Sequence, residues 1–222
     1  MSTLYGVGVG CGDPADLTVR AAYLISGCDV VAFPTGSRDK CRAYDIVKEY
    51  IKKQKTEFFD FPMTHDAVTL EDRHRRIYEK IREHLDDGRS VAFVTIGDPL
   101  IYSTFSYIAK LARKDGYPVQ IVNGIPSFLS CAGELGLFLG QEDEEIHIIP
   151  GSADIREALG LPGIKIFMKL GKHAAELRKA LEESGCKFLG AVSHCGMPDE
   201  EIYTDIDSIP EKKAYLMTAF VR

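Results

Sequence analysis

Four glycines alternate in Gly6-Val7-Gly8-Val9-Gly10-Cys11-Gly12-Asp13-Pro14, directly after an apolar run. Glycines so placed let a ligand approach the main chain, or let the chain take positive φ. A dinucleotide fingerprint requires G-x-G-x-x-G/A, and only Gly10-x-Gly12-x-x-Ala15 meets it formally. The chemistry is wrong for it. Asp13 sets a carboxylate where pyrophosphate would sit, and Pro14 removes an N–H that a phosphate-binding helix start uses. The acidic residue expected at the end of the second strand is missing, since Asp29 begins that run and Pro34 ends it. No G-K-[ST] supports a P-loop. The loop points to a cofactor without a pyrophosphate, held partly by backbone groups, with a purely structural glycine turn as the alternative.

Other residues could serve chemistry. Gly97-Asp98-Pro99 follows a continuous apolar strand, with Asp98 placed as an N-cap and Pro99 at the first position of a helix over 100–113. Arg38, Lys40 and Arg42 crowd the loop after the second strand, on the carboxyl-end side where α/β folds bind ligands. Arg73, Arg75 and Arg76 crowd the start of a long charged helix, where a solvated face is the favoured reading. His74 and His84 on that helix read as surface residues, His147 as a partly buried strand residue, and His173 as part of a helix start. No cluster has metal-ligand spacing, so no metal site is expected. The six cysteines include no C-x-x-C pair.

These residues need elements to hold them. In the first half, strands over 3–9, 29–33, 57–61, 90–96 and 119–122 alternate with helices over 14–26, 43–51, 70–85 and 100–113. Val91, Ala92, Phe93 and Val94 show no alternation, as expected of a parallel strand covered on both faces. The second half has helices over 127–138 and 174–184 and strands over 145–149, 164–169, 188–193, 201–204 and 214–221, which suggests a mixed sheet. The fold class is α/β, with domains over 1–122 and 123–222. The chain has 222 residues, 33 Asp+Glu against 27 Lys+Arg, and a net charge of −6, which argues against a duplex-nucleic-acid partner. No apolar run approaches the ~18 residues of a membrane span. The N-terminus carries no signal-peptide core, and the expected setting is the cytoplasm.

Three segments together resemble the tetrapyrrole methylase family: Gly8-Val9-Gly10-Cys11-Gly12-Asp13-Pro14, Thr95-Ile96-Gly97-Asp98-Pro99-Leu100-Ile101-Tyr102, and Val122-Asn123-Gly124-Ile125-Pro126-Ser127. Phe61-Pro62-Met63 and the run from Gly97 to Phe105 are similar to the branch that methylates C20 of precorrin-2 or its cobalt form, on the path to cobalamin. The resemblance implies S-adenosylmethionine as methyl donor in a cleft between two α/β domains, a tetrapyrrole substrate, and a homodimer. Any cobalt would belong to the substrate. It also implies donor contacts at Gly97, Asp98, Ile101, Pro126, Ser127 and Met168. Cys11 stands where many relatives have proline, so a contact there is through backbone. Gly196 falls where relatives often carry Asn-Gly. Some relatives have an aspartate just after the second strand, where this chain has Pro34 and Thr35, so that carboxylate role does not transfer.

A polycarboxylate substrate would need a local basic patch, and Arg38 and Arg42 are the preferred contacts because a guanidinium fork matches a carboxylate. Tyr102, His65 and Asp98 are the candidates for a base that takes a proton after methyl transfer. None of the three is singled out: Asp98 is better suited to capping and donor binding, Tyr102 to packing, and His65 to a solvated loop. A different corrinoid target carbon, a non-catalytic tetrapyrrole or nucleotide-binding module, and an NAD-dependent oxidoreductase are the rival readings.

Overall fold

A computed structural model of the chain describes residues 2–61, 66–170, 173–209 and 216–222. The chain divides into two compact units, 1–126 and 127–222. The 123–126 loop, grouped above with the second half, belongs by its packing to the first.

The first unit contains β1 (Leu4–Gly8), α1 (Val19–Gly27), β2 (Val30–Phe33), α2 (Arg42–Val47), β3 (Lys55–Phe58), α3 (Ala67–Asp86), β4 (Val91–Thr95), α4 (Phe105–Lys114) and β5 (Val119–Val122). Its sheet has the order β3-β2-β4-β1-β5, and every pairing is parallel. All five residues of β4 are buried, consistent with a central strand covered by helices on both faces. Val7, Val31 and Val94 pack with Ala21 and Ile25 of α1 on one face. Leu4, Val30 and Phe93 pack with Ile77 and Ile81 of α3 and Phe105 and Ile108 of α4 on the other.

Two helices begin later than their sequence suggests. The segment read as one helix from Pro14 splits into a 3-10 turn, Pro14–Asp16, capped by Asp13, and α1, whose first turn is capped by Thr18 accepting from the Ala21 N–H at 3.2 Å. Two competing caps five residues apart interrupt the helix. The helix expected from Leu100 begins at Phe105. Asp98 does accept from the Leu100 N–H at 2.8 Å, but this closes a turn and not a helix. Tyr102 then takes φ of 46°, a left-handed conformation no helix can pass through.

The surface expectation for His74 and His84 is overturned: both are buried. They belong to the inward stripe of α3, His74, Ile77, Tyr78, Ile81, His84 and Leu85, whose spacing of three and four residues is that of one helix face. The His74 ring stacks on Tyr107 with centroids 4.3 Å apart, and His84 Nε2 lies 3.2 Å from Glu57 Oε1. Burial holds the His74 pKa below the ordinary histidine value of 6.5. The native state therefore favours the neutral ring. Stability from this site is present above the unfolded value and is lost as pH falls through it toward the lower native one, because the unfolded chain binds the proton first. The urea midpoint is expected to fall between about pH 7.5 and about pH 5.5, and to fall less in a His74→Phe variant. Equal slopes for the two proteins would remove His74 from that pH dependence.

The second unit contains α5 (Ser127–Glu134), β6 (Ile146–Pro150), α6 (Ile155–Leu159), β7 (Ile164–Met168), α7 (Ala174–Ser184), β8 (Phe188–Ser193), β9 (Glu201–Tyr203) and β10 (Met217–Val221). Its sheet has the order β6-β7-β10-β8-β9, in which β6 and β7 are parallel and the other pairs antiparallel. The mixed sheet agrees with the sequence reading. Helix α6 was not anticipated. It has five residues, too few for a helical period to register, and is fixed by Asp154 accepting from the N–H groups of Arg156 and Glu157. α7 ends at Gly185 with φ of 69°, as a left-handed cap requires. The six cysteines form no disulfide. Among them, a hydrogen bond to Cys131, followed by burial, pushes the Cys195 thiol pKa far up.

Candidate active site

In the first unit the chain leaves β1 toward β2 and leaves β4 toward β5, although β1 and β4 are neighbours. The helices that follow, α1 and α4, lie on opposite faces. This is a topological switch point, and its carboxyl edge is where open α/β sheets bind ligands. Three loops meet there, at 9–13, 96–102 and 123–126.

They are joined main chain to main chain. The Val9 N–H donates to Thr95 O at 3.1 Å and the Gly97 N–H to Gly10 O at 2.8 Å, making an antiparallel bridge between Gly10 and Gly97, each with φ of 73°. A Cβ on Gly8 would lie 2.5 Å from both Gly124 N and Gly97 O, and one on Gly124 would lie 2.3 Å from Gly97 O. Gly8 at the end of β1 is thus packed backbone on backbone with Gly97 and Gly124 of two loops. Three of the four alternating glycines separate by role on this basis. Gly6 makes room for the Phe105 ring, which a Cβ would meet at 2.2 Å. Gly8 makes room for the other loops, and Gly10 supplies the left-handed bend.

Side chains complete the junction. Asp98 is buried, with Oδ1 accepting from the Leu100 N–H and Oδ2 from the Asn123 side-chain amide at 3.0 Å and the Gly124 N–H at 3.1 Å. Cys11, also buried, directs its thiol at Ile125 O, 3.9 Å away. The Thr18 hydroxyl donates to Asn123 O at 3.4 Å. These three loops carry Asp13 and Asp98 but no lysine, arginine or histidine. Such an edge suits a neutral or cationic ligand met by carbonyls and carboxylates, and is a poor host for pyrophosphate.

Three of the sequence candidates, Cys11, Gly97 and Asp98, therefore fall at one junction, with Ile101 and Pro126 in the same loops. Asn123 and Thr18 were not singled out. Asn123 lay inside a recognised segment, but nothing in its spacing announced a partner 25 residues earlier. Tyr102 is half exposed and sits in the loop, not one turn into a helix. His65 lies outside the described residues. Arg38 is exposed in a 3-10 turn over 38–40, hydrogen-bonds the Tyr44 hydroxyl, and has its guanidinium 4.4 Å from the centre of the Tyr44 ring. Arg42 is the first residue of α2. In the second basic cluster, Arg75 pairs with Glu71 at 3.3 Å and Arg76 with Asp72 at 2.9 Å, all on the exposed face of α3, in keeping with a solvated role.

In the second unit, Ser127 begins α5. Met168 ends β7 and is buried, and the Gly151 N–H donates to its carbonyl at 2.6 Å. Gly196 takes φ of 72° and its N–H donates to Glu200 Oε2 at 2.6 Å. β7 and β8 run in the same direction on either side of β10, with Met168 opposite Thr218 and Ser193 opposite Met217. Met168 and the 194–196 turn after β8 thus emerge at the same edge of this sheet. Among the described residues, no group of three or more His, Cys, Asp or Glu could hold a metal ion, and no helix is long and apolar enough to cross a membrane.

The family model for tetrapyrrole (corrin/porphyrin) methylases matches residues 3–210. The chain belongs to this family. Over 223 aligned residues the methylase is 33% identical to a probable cobalt-precorrin-2 C(20)-methyltransferase of Methanocaldococcus jannaschii, covering 99% of this chain and 95% of that protein. It is 26% identical to the cobalt-precorrin-2 C(20)-methyltransferase of Salmonella typhimurium, over 95% of this chain and 91% of the relative. Among solved structures, a cobalt precorrin-4 methyltransferase superposes with a TM-score of 0.79 at 17% identity, covering 99% of this chain and 94% of the other. A uroporphyrin-III C-methyltransferase of Thermus thermophilus, complexed with S-adenosylhomocysteine, superposes at 0.69 with 19% identity, covering 99% and 97%. At these identities the structural matches speak for the fold of the methylase.

Proposed function

We propose that this methylase transfers the methyl group of S-adenosylmethionine to C20 of precorrin-2 or its cobalt form, as a cytoplasmic homodimer with neither nucleic acid nor membrane as partner. The observation that carries the substrate is the 33% identity to a named C20-methyltransferase along almost the whole of both chains. The donor reading is supported independently by the carboxyl edge of β1 and β4, whose glycines, carbonyls and acids fit a sulfonium cation and a nucleoside without phosphates.

When bound, the donor would supply an electrophilic methyl group: the electron pair of the electron-rich ring carbon would form the new carbon–carbon bond as the carbon–sulfur bond broke, with that bond's pair left on sulfur and the C20 proton lost to a base. What the protein must add is alignment, which can supply roughly 7–11 kcal/mol of a barrier. We assign the three-loop junction to that task, with donor contacts at Cys11 (main chain), Gly97, Asp98, Ile101 and Pro126; the family resemblance implies further contacts at Ser127, Met168 and Gly196. Arg38 and Arg42 are assigned to substrate carboxylates. Replacing both by Ala is expected to raise the tetrapyrrole KM about tenfold or more, the scale of losing one charge-assisted hydrogen bond, with donor affinity unchanged in calorimetry. An unaltered KM would return both residues to the solvated surface.

The function itself is tested by incubating the protein with methyl-labelled donor and either metal-free or cobalt-containing precorrin-2, then locating the label by NMR. Label at C20 is expected. Label on another ring carbon would favour a different corrinoid methylase, and tight binding of NAD with no binding of S-adenosylhomocysteine would sink the donor reading.

A further inference from the structure

We propose that Asn123 is a positioning residue of the donor site, acting through Asp98 by a side-chain hydrogen bond that locks the 96–102 loop onto the 123–126 loop. The inference rests on the donor reading above. Asn123 directly follows β5 and holds on to both neighbouring segments. Its side-chain amide donates to Asp98 Oδ2 at 3.0 Å, and its carbonyl accepts from the Thr18 hydroxyl at the start of α1. Around it, Gly8 and Gly124 are packed against each other and against the Gly97 carbonyl too closely for any side chain of their own, so the relative placement of the loops must be fixed by groups at their rim. Asp98 is 6% exposed and accepts three N–H groups. A carboxylate has about four acceptor directions, so most of its capacity is spent inside the protein. Asp98 therefore serves the donor chiefly by fixing the shape of the loop that presents Gly97 and Ile101.

An amide suits position 123 because it can donate. An ionised Asp there would set carboxylate against carboxylate, and Ala would leave Asp98 one donor short. A protonated Asp could donate again through its O–H, and a neighbouring carboxylate raises the pH at which that proton is held. The loss in Asn123→Asp is thus reversible by acid, which a general packing role would not produce.

The test is calorimetry of S-adenosylhomocysteine with the full chain as wild type, Asn123→Asp and Asn123→Ala, each at about pH 8 and about pH 5.5, with circular dichroism to verify folding. Near pH 8 both variants are expected to bind at least about tenfold more weakly than wild type, the scale of a lost hydrogen bond to a charged group. Near pH 5.5 Asn123→Asp is expected to recover to within about threefold of wild type at the same pH, while Asn123→Ala does not. Wild-type affinity in Asn123→Asp at the higher pH, or parallel losses in both variants at both pH values, would overturn the positioning role. Wild-type protein that binds no S-adenosylhomocysteine would instead overturn the donor reading on which it rests.

Discussion

Gly124→Ala is expected to abolish measurable S-adenosylhomocysteine binding and to lower thermal stability, although it adds a single methyl group. The added Cβ would stand 2.3 Å from Gly97 O, 2.6 Å from Gly8 C and 2.9 Å from Gly8 Cα. All three are main-chain atoms, so no rotamer change relieves the contact. Extra methyl groups in close-packed interiors cost about 1–3 kcal/mol where side chains can adjust; a clash among three backbones belongs at the upper end. At about 2–4 °C per kcal/mol for a chain of this size, melting should fall by several degrees. Separating the loops by even ~1 Å would misplace the Gly97 segment, and misplacement on that scale costs on the order of 100-fold in function. Gly133→Ala in α5 is the matched control. Its Cβ would meet nothing within 4 Å, and an alanine inside a helix is better by roughly 0.5–1 kcal/mol. Equal donor affinity in Gly124→Ala and wild type would dismiss the three-loop junction as the donor site.

The alternation of elements was legible because its signals are local. The unbroken run Val91 to Val94 located a buried parallel strand. The glycine run and Gly97-Asp98-Pro99 were legible as chemistry for the same reason: glycine, proline and a capping acid have few uses, and their clustering narrows them. The helix start at Leu100 failed because capping rules see only the residues that follow. Asp98 does bond the Leu100 N–H, as a cap would, but its other oxygen is claimed by Asn123 and Gly124 on another strand's loop. His74 and His84 failed differently. Their charged neighbours suggested a solvated helix, while their spacing against Ile77, Ile81 and Leu85 already placed them on the inward face. Periodicity outweighs the polarity of a single side chain when a ring can stack, as His74 does on Tyr107.

That double use of Asp98 yields the second large effect. If Asp98 were a simple N-cap, Asp98→Asn would be nearly silent, since Asn and Asp cap about equally well, and Asp98→Ala would cost about 1 kcal/mol. The observed geometry gives a different order. Three N–H groups converge on two oxygens, so an amide in place of the carboxylate must turn an NH2 toward at least one donor. With its NH2 toward Leu100 it loses that bond; with its NH2 toward Asn123 and Gly124 it loses two. Each buried donor left without an acceptor costs about 1–3 kcal/mol. Asp98→Asn is therefore expected to lose roughly 1–3 kcal/mol, and Asp98→Ala, which strands all three, about 3 kcal/mol or more. Because the same bonds hold the Gly97 loop, S-adenosylhomocysteine affinity should fall alongside stability, by about tenfold or more in Asp98→Asn and further in Asp98→Ala. Urea unfolding and calorimetry on the two variants decide the matter. Full stability and full affinity in Asp98→Asn would reduce Asp98 to a cap, whereas a stable variant with lost affinity would mean that the carboxylate itself meets the donor.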